Sequence, residues 1–237
     1  VNVDSYLSEV TKQNSSVGVA QFDELGISHG FWGKNHQDPM ELSELNRPIQ
    51  VHEKNIVESD FEGGVAGVEA DGVYSSLQNH RIAVVTADCL PILLVDRDKT
   101  LIMAVHAGWR GLVAGVVQEA VQLFQVKQID LRRVLVGLGP CISQDSYEVG
   151  EEVINAVKDS PVAIPSEAFE RCLAASSNDG KSMLDISMLA LMQLKALGVS
   201  AENISVVQSC TYKNENEWFS YRRDGKRTGR NYTWIEL

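Results

Sequence analysis

Two apolar runs, Leu90 to Val95 and Leu101 to Val105, are short, rich in branched residues and separated by the charged stretch Asp96-Arg97-Asp98-Lys99. This is the pattern of two strands joined by a tight turn. A hairpin folded about the Arg97–Asp98 midpoint sets Cys89 opposite His106, with side chains roughly 5 Å apart. Register matters, because a slip of one residue sends a side chain to the other face. Downstream, "GLVAGVVQEAVQLFQV" has the spaced apolar positions of a helix packed on a sheet, and "RRVLVGLGPCIS" reads as a buried strand ending in a Gly-Pro turn. "SYEVGEEVINAVKDS" and "LDISMLALMQLKALGVS" read as amphipathic helices, the second closed by Gly198. "NISVVQSC" predicts another strand, and "WFSYRRDGKRTGRNYTWIEL" an Asp-Gly turn between strands, the last of them apolar. Upstream, "NRPIQVHEKNIVESD" reads as one more strand and "GVEADGVYSS" as a turn into a short one.

Helices and strands mix without a strict β-α-β rhythm, and the central hairpin requires antiparallel pairing, so the predicted class is α+β. The 237 residues contain no Pro/Ser-rich or charged linker, which favours one domain over 1–237. A hydrophobic content of 44% supplies a sizeable core. The net charge of -11 argues against a general nucleic-acid or anionic-membrane surface and favours a small-molecule partner. The chain is expected to be cytoplasmic and a monomer or homodimer: its beginning lacks a basic-then-apolar signal pattern, and no apolar run is long enough to span a bilayer. Cys89, Cys141, Cys172 and Cys210 lie far apart without a CxxC, the pattern of free thiols.

Cys89 and His106 together raise the possibility of a metal centre or of a nucleophile with its base. Catalytic zinc sites commonly use three protein ligands and an open position, and Cys and His suit the metal's intermediate softness. The histidines are His29, His36, His52, His80 and His106; His52 follows "IQV" in an alternating segment that a strand can deliver to the same edge. Against this, a lone Cys beside an apolar strand is commonly a small core residue. "HAGWRG" sets two glycines beside a Trp and an Arg directly after a strand, where the backbone must turn sharply or approach something closely. Arg110, at the start of the next helix, is placed for an anion such as phosphate. "SYRRDGKRTGR" concentrates five basic residues that form either a solvated hairpin or the border of an anionic ligand. "NDGKSM" has Ala175 where a P-loop needs glycine, and "GLGPCI" has Ile142 where a dinucleotide-binding turn has its third glycine.

"TADCLPILL", "AVHAGWRGL", "GPCISQDSYEVGEEV" and "FSYRRDGKRTGR", in this order and spacing, resemble the YfiH family, also called the laccase-domain or multicopper-polyphenol-oxidase-like family. The resemblance runs from about Val51 to the C-terminus. It implies a four-layer α/β/β/α fold and a zinc ion held by His52, Cys89 and His106. It also implies a purine nucleoside enzyme: phosphorolysis of adenosine, inosine or methylthioadenosine to base and ribose 1-phosphate, with adenosine deamination as a second activity. Within the matching blocks the resemblance implies Arg110 and Arg222 or Arg223 as phosphate or ribose contacts; Asp88, beside Cys89, could orient a ligand or act as a base; and His29, in an "HGF" that also matches the family, is expected either to line the pocket or to cap a turn. The chain departs from the family at "WGKNHQDPM", which puts Lys34 near an expected arginine, and at Ala190 or a neighbour, where the family has an Asn.

Three other readings compete. One Cys and two His also form the blue-copper set, but a multicopper oxidase needs a second, histidine-rich cluster that five histidines cannot supply. Cys89 as thiolate and His106 as base would make a cysteine hydrolase or amidase, which fits the family's proposed role in editing peptidoglycan precursors. A nucleotide-sensing binding module predicts affinity without turnover.

Overall fold

The structure is a computed structural model that describes residues 10–13, 16–36, 45–60, 64–160, 162 and 164–237. In chain order its strands are β1 (Val10–Gln13), β2 (Ser16–Val19), β3 (Ser28–Trp32), β4 (Ile56–Glu58), β5 (Gly72–Ser75), β6 (Arg81–Thr86), β7 (Leu90–Asp96), β8 (Ile102–Ala107), β9 (Val134–Leu138), β10 (Glu148–Gly150), β11 (Leu173–Ala175), β12 (Lys181–Leu184), β13 (Ile204–Val206) and β14 (Asn231–Glu236). They form a six-stranded sheet in the order β13-β9-β7-β8-β5-β4, a five-stranded sheet in the order β1-β2-β3-β14-β6, and a small sheet β10-β12-β11. The six-stranded sheet is mixed: β4 with β5 and β13 with β9 run parallel, whereas β7 with β8 and with β9 run antiparallel.

Period-2 alternation divides the central strands between two cores. Leu90, Ile92 and Leu94 of β7 and Met103, Val105 and Ala107 of β8 face the helices Trp109–Ala114, Val116–Val126 and Ile186–Ala196. Leu93 and Val95, with Ile102 and Ala104, face the five-stranded sheet and meet Ile82, Val84, Phe31 and Ile235. Helices therefore cover one sheet, and that sheet packs on the second, as in the α/β/β part of the expected layering. On the far face of the second sheet the described residues contribute Trp32, Leu45, Ala83 and Trp234. No helix among the described residues is long and apolar enough to cross a membrane.

The central hairpin forms, but its register differs from the expectation. Pro91 pairs with His106 and Val95 with Ile102, so the turn centres on Asp98–Lys99. The cause is Asp96, a buried carboxylate that accepts from the N–H groups of Asp98 (3.0 Å), Thr100 (2.9 Å) and Leu101 (2.7 Å) and so closes a wider turn. The displacement changes each pairing by two residues. Parity is kept, and Cys89 and His106 remain on one face as diagonal rather than direct neighbours.

Other elements depart from their predicted form for equally local reasons. The helix expected over 111–126 is two helices, broken at Gly115, whose φ of 97° suits glycine. The segment before Ile56 is largely loop: the Gln50 side chain, rather than a strand, bonds to the Val85 N–H and carbonyl at 2.7 Å each. The Arg-rich segment "SYRRDG" forms the short helix Tyr221–Asp224, capped by the Ser220 hydroxyl, which accepts from the Arg223 N–H at 3.2 Å; only β14 follows it as a strand. The loop "WGKNHQDPM" lies outside the described residues beyond His36.

Replacing Asp96 with Ala leaves three turn N–H groups without their carboxylate. The expected cost is about 1–3 kcal/mol of stability, read as a lower denaturant midpoint at unchanged m value.

Candidate functional site

The inter-sheet alternation that buries Val73, Leu93, Ala104 and Val84 runs on toward one end of the crevice as Asp71, Cys89, His106 and Thr86. The strands thus deliver polar side chains to a place their apolar neighbours have already shielded from water. There the imidazoles of His52 and His106 and the Cys89 sulfur offer ligand atoms all within 4.8 Å of one another. Burial rises from the exposed His52 through Cys89 to His106, which leaves the His52 side open.

His52 reaches this group from a loop. It has φ 64°, a left-handed conformation that a non-glycine residue adopts only when its surroundings hold it. The holding group is Asp71, fully buried, whose carboxylate accepts from the N–H groups of Val51 (3.2 Å), His52 (2.9 Å) and Glu53 (2.7 Å). The same carboxylate accepts from His106 Nδ1–H at 2.7 Å, which fixes the ring and turns Nε2 toward Cys89. Burial opposes ionisation of Asp71, but these bonds prevail and hold its carboxyl below the usual carboxylate range.

The glycines of "HAGWRG" are explained by close approach. A Cβ on Gly108 would lie 3.0 Å from the Cys89 sulfur and 3.5 Å from the His52 ring, and one on Gly111 would lie 3.0 Å from the Glu53 carbonyl oxygen. Both glycines make room for the His52 loop to close over the strand end.

Burial raises the cost of a charged Cys89, yet His106 and His52 bring its thiol down to about 6. For His106, burial is again opposed, here by the Cys89 sulfur and Asp71, which raise it to about 9. A thiolate beside imidazoles, two nitrogens and one sulfur, is a donor set suited to a borderline-soft divalent metal.

The centre lies on the wall of a cavity of about 730 Å³, whose rim carries Arg47, Arg110, Arg222 and Arg230. Arg110 is exposed and stacks over the Trp109 ring at 4.4 Å, and Arg222 over Tyr147 at 5.0 Å. Asp88 has φ 91°; its carboxylate accepts from Thr211 Oγ1 (2.7 Å) and from the Arg222 N–H (2.6 Å). Through these two bonds it anchors the C-terminal segment against the site.

His29, Lys34 and Arg223, expected at the substrate, are not among the residues that line this cavity. His29 is buried, with Nδ1 donating to the Ile27 carbonyl at 2.9 Å and Nε2 accepting from the Val19 N–H at 2.7 Å; burial lowers its pKa and keeps it neutral. Lys34 lies 5.5 Å from the Phe219 ring. The Arg223 guanidinium is spent on the carbonyls of Thr211, Tyr212 and Trp218. Sequence reasoning missed Asp71, Thr86 and Arg47, and held Arg230 only as one of the five basic residues of "SYRRDGKRTGR". Of these Asp71 left only an Asp-Gly before a short strand, a signal shared with ordinary turns.

Asp71→Asn removes one acceptor oxygen and the charge that orients His106. The expected loss is about 10–100-fold in affinity for a divalent metal, measured by chelator competition, with the fold retained by circular dichroism.

A sequence model described as multi-copper polyphenol oxidoreductase laccase matches residues 35–237. The chain is 35% identical over 241 residues to purine nucleoside phosphorylase PA4543 of Pseudomonas aeruginosa, covering 96% of this chain and 92% of that one. It is 32% identical to adenosine deaminase RL5 of an unknown prokaryotic organism, over 83% and 76% of the two chains. The crystal structure of a hypothetical protein YfiH from Bacillus licheniformis superposes with a TM-score of 0.84 at 21% identity, over 96% and 98%, a likeness of fold. With these blocks, this fold and these relatives, the chain belongs to the YfiH family, described as multi-copper polyphenol oxidoreductase laccase.

Proposed function

We propose that this protein is a zinc-dependent, cytoplasmic purine nucleoside enzyme that splits adenosine, inosine or methylthioadenosine with phosphate, giving base and ribose 1-phosphate, and deaminates adenosine as a second activity. The observation that carries the reading is the His52, Cys89 and His106 centre set in the wall of an arginine-rimmed cavity large enough for a nucleoside. The names of the relatives, purine nucleoside phosphorylase and adenosine deaminase, support the same class.

Zinc bound to these three residues would supply a Lewis acid with a position left for an oxygen ligand. The protein's own groups do the rest. Arg110 and Arg222, held by aromatic rings at the rim, bind phosphate and keep it against the sugar face. Thr86 Oγ1, buried in the cavity wall without a protein partner among the described residues, is left to hydrogen-bond the nucleoside. Asp71 keeps His106 in one tautomer throughout. In phosphorolysis a phosphate oxygen bonds to the sugar carbon as its bond to the base nitrogen breaks, and the base leaves with a proton. In deamination water adds and ammonia leaves.

Copper oxidase chemistry has less support. His29 is bonded into the backbone, His80 pairs with the Ser59 hydroxyl at 2.8 Å and His36 stacks on Trp32, so among the described residues two histidines, with Cys89, form one three-donor centre. A cysteine hydrolase acting on a peptidoglycan precursor is the second reading, favoured by the thiolate and imidazolium character of Cys89 and His106. Activity that survives zinc removal and is abolished by alkylating Cys89 would favour it.

The test is chromatographic product analysis of adenosine with zinc-loaded protein, with and without phosphate, and with Cys89→Ala as control. Adenine is expected only with phosphate, inosine without it, and neither in the variant; unchanged adenosine in every sample overturns the proposal. Arg110→Ala should raise the KM for phosphate about tenfold or more, the loss of one charged hydrogen bond, with a smaller change in kcat.

A further inference from the structure

We propose that Cys210 is a hydroperoxide-sensitive modification site, and that Cys141 resolves its oxidised form into an intramolecular disulfide. Cys141 and Cys210 are partners in an isolated parallel β-bridge, and the Thr211 N–H donates to the Cys141 carbonyl at 3.0 Å. Bridge partners have Cα atoms roughly 5 Å apart and side chains on one face, and a disulfide requires about 4.4–6.8 Å between Cα atoms. Both cysteines line the same cavity of about 490 Å³, which also takes in Asp185, Met188 and Lys213 and shares no residue with the arginine-rimmed cavity.

The two thiols are unequal in a way that suits two successive roles. Cys210 is half-buried and reachable from the cavity, whereas Cys141 is buried. Around the Cys210 sulfur the Ser143 N–H donates at 3.3 Å and the Ser143 hydroxyl lies at 3.0 Å. Burial works against its thiolate, but these groups and the Lys213 N–H prevail and bring it below the usual thiol range. Burial pushes the Cys141 thiol well up. The other two cysteines do not share this setting: Cys172 is buried and pushed up to about 12, and Cys89 belongs to the metal centre.

In the first step the Cys210 thiolate attacks the peroxide O–O bond. A sulfur–oxygen bond forms, the other oxygen leaves and takes up a proton, and the sulfur is oxidised by two electrons to a sulfenic acid as the peroxide is reduced. The Cys141 sulfur then attacks the Cys210 sulfur. The S–S bond forms, and hydroxide leaves with the Cys141 proton as water. Each cysteine adjoins a residue that grips Asp88, because the Ile142 N–H donates to the Asp88 carbonyl at 3.0 Å and Thr211 to its carboxylate. The new bond would therefore join the two segments that hold Asp88 in place.

The test is mass spectrometry of the full, zinc-loaded chain after brief treatment with hydrogen peroxide and alkylation of the remaining thiols. Wild type should lose two hydrogens and yield a linked peptide pair containing Cys141 and Cys210, reversed by dithiothreitol. Cys141→Ser should stop at a sulfenic acid on Cys210 that dimedone traps, and Cys210→Ser should leave Cys141 as a free thiol. Retention of all four thiols, a disulfide through Cys89 or Cys172, a link between chains, or unchanged oxidation in Cys210→Ser would overturn the proposal. The linked peptide is read in wild type, so the outcome stands even where a variant folds poorly.

Discussion

A single buried carboxylate organises the site. Asp71 accepts three N–H bonds from the loop at 51–53 and one from His106, so the loop-borne ligand and a strand-borne ligand are fixed by the same two oxygens. An unpaired carboxylate at full burial would be costly. Four donors turn that liability into a constraint, because the charge can stay buried only if the His52 loop folds onto it. The left-handed backbone at His52 is a consequence, since the loop must turn to present consecutive N–H groups to one acceptor.

The surrounding charge follows a similar logic. The chain is acidic overall, yet four arginines border the cavity. Their positions are set by neighbours: Trp109 carries Arg110, and Tyr147 and the Glu148 carbonyl carry Arg222. Asp88 adds the backbone of Arg222 to this arrangement, tying the C-terminal helix to the residue before Cys89. A localised cationic rim on an acidic surface confines positive potential to the cavity mouth.

Much of this was legible in the chain. The hairpin, the helix after it, the buried strand at 134–138 and the apolar C-terminal strand all follow from hydrophobic period and breakers, and the four sequence blocks led to the family. The hairpin centre was not legible, because Asp96 acts through its side chain and a charged turn looks the same in either register. His52 was expected on a strand, but its place depends on Asp71, nineteen positions away, and no local pattern records that bond. The Arg-rich segment reads as a hairpin by its Asp-Gly, whereas the Ser220 cap and the carbonyls gripped by Arg223 favour a helical turn. In each case a polar side chain bonding to backbone, near or distant, overrode local propensity.

The site divides into a part that the sheets hold and a part that loops hold. Asp71, Cys89 and His106 stand at strand ends, in line with the apolar contacts between the sheets, so moving them means repacking that core. His52 comes from a loop but is tied to the buried Asp71, whereas Arg47, Arg222 and Arg230 come from loops and a short terminal helix, whose sequence can change at little cost to packing. The three donors are thereby coupled to the fold, while the arginines of the cavity rim are not.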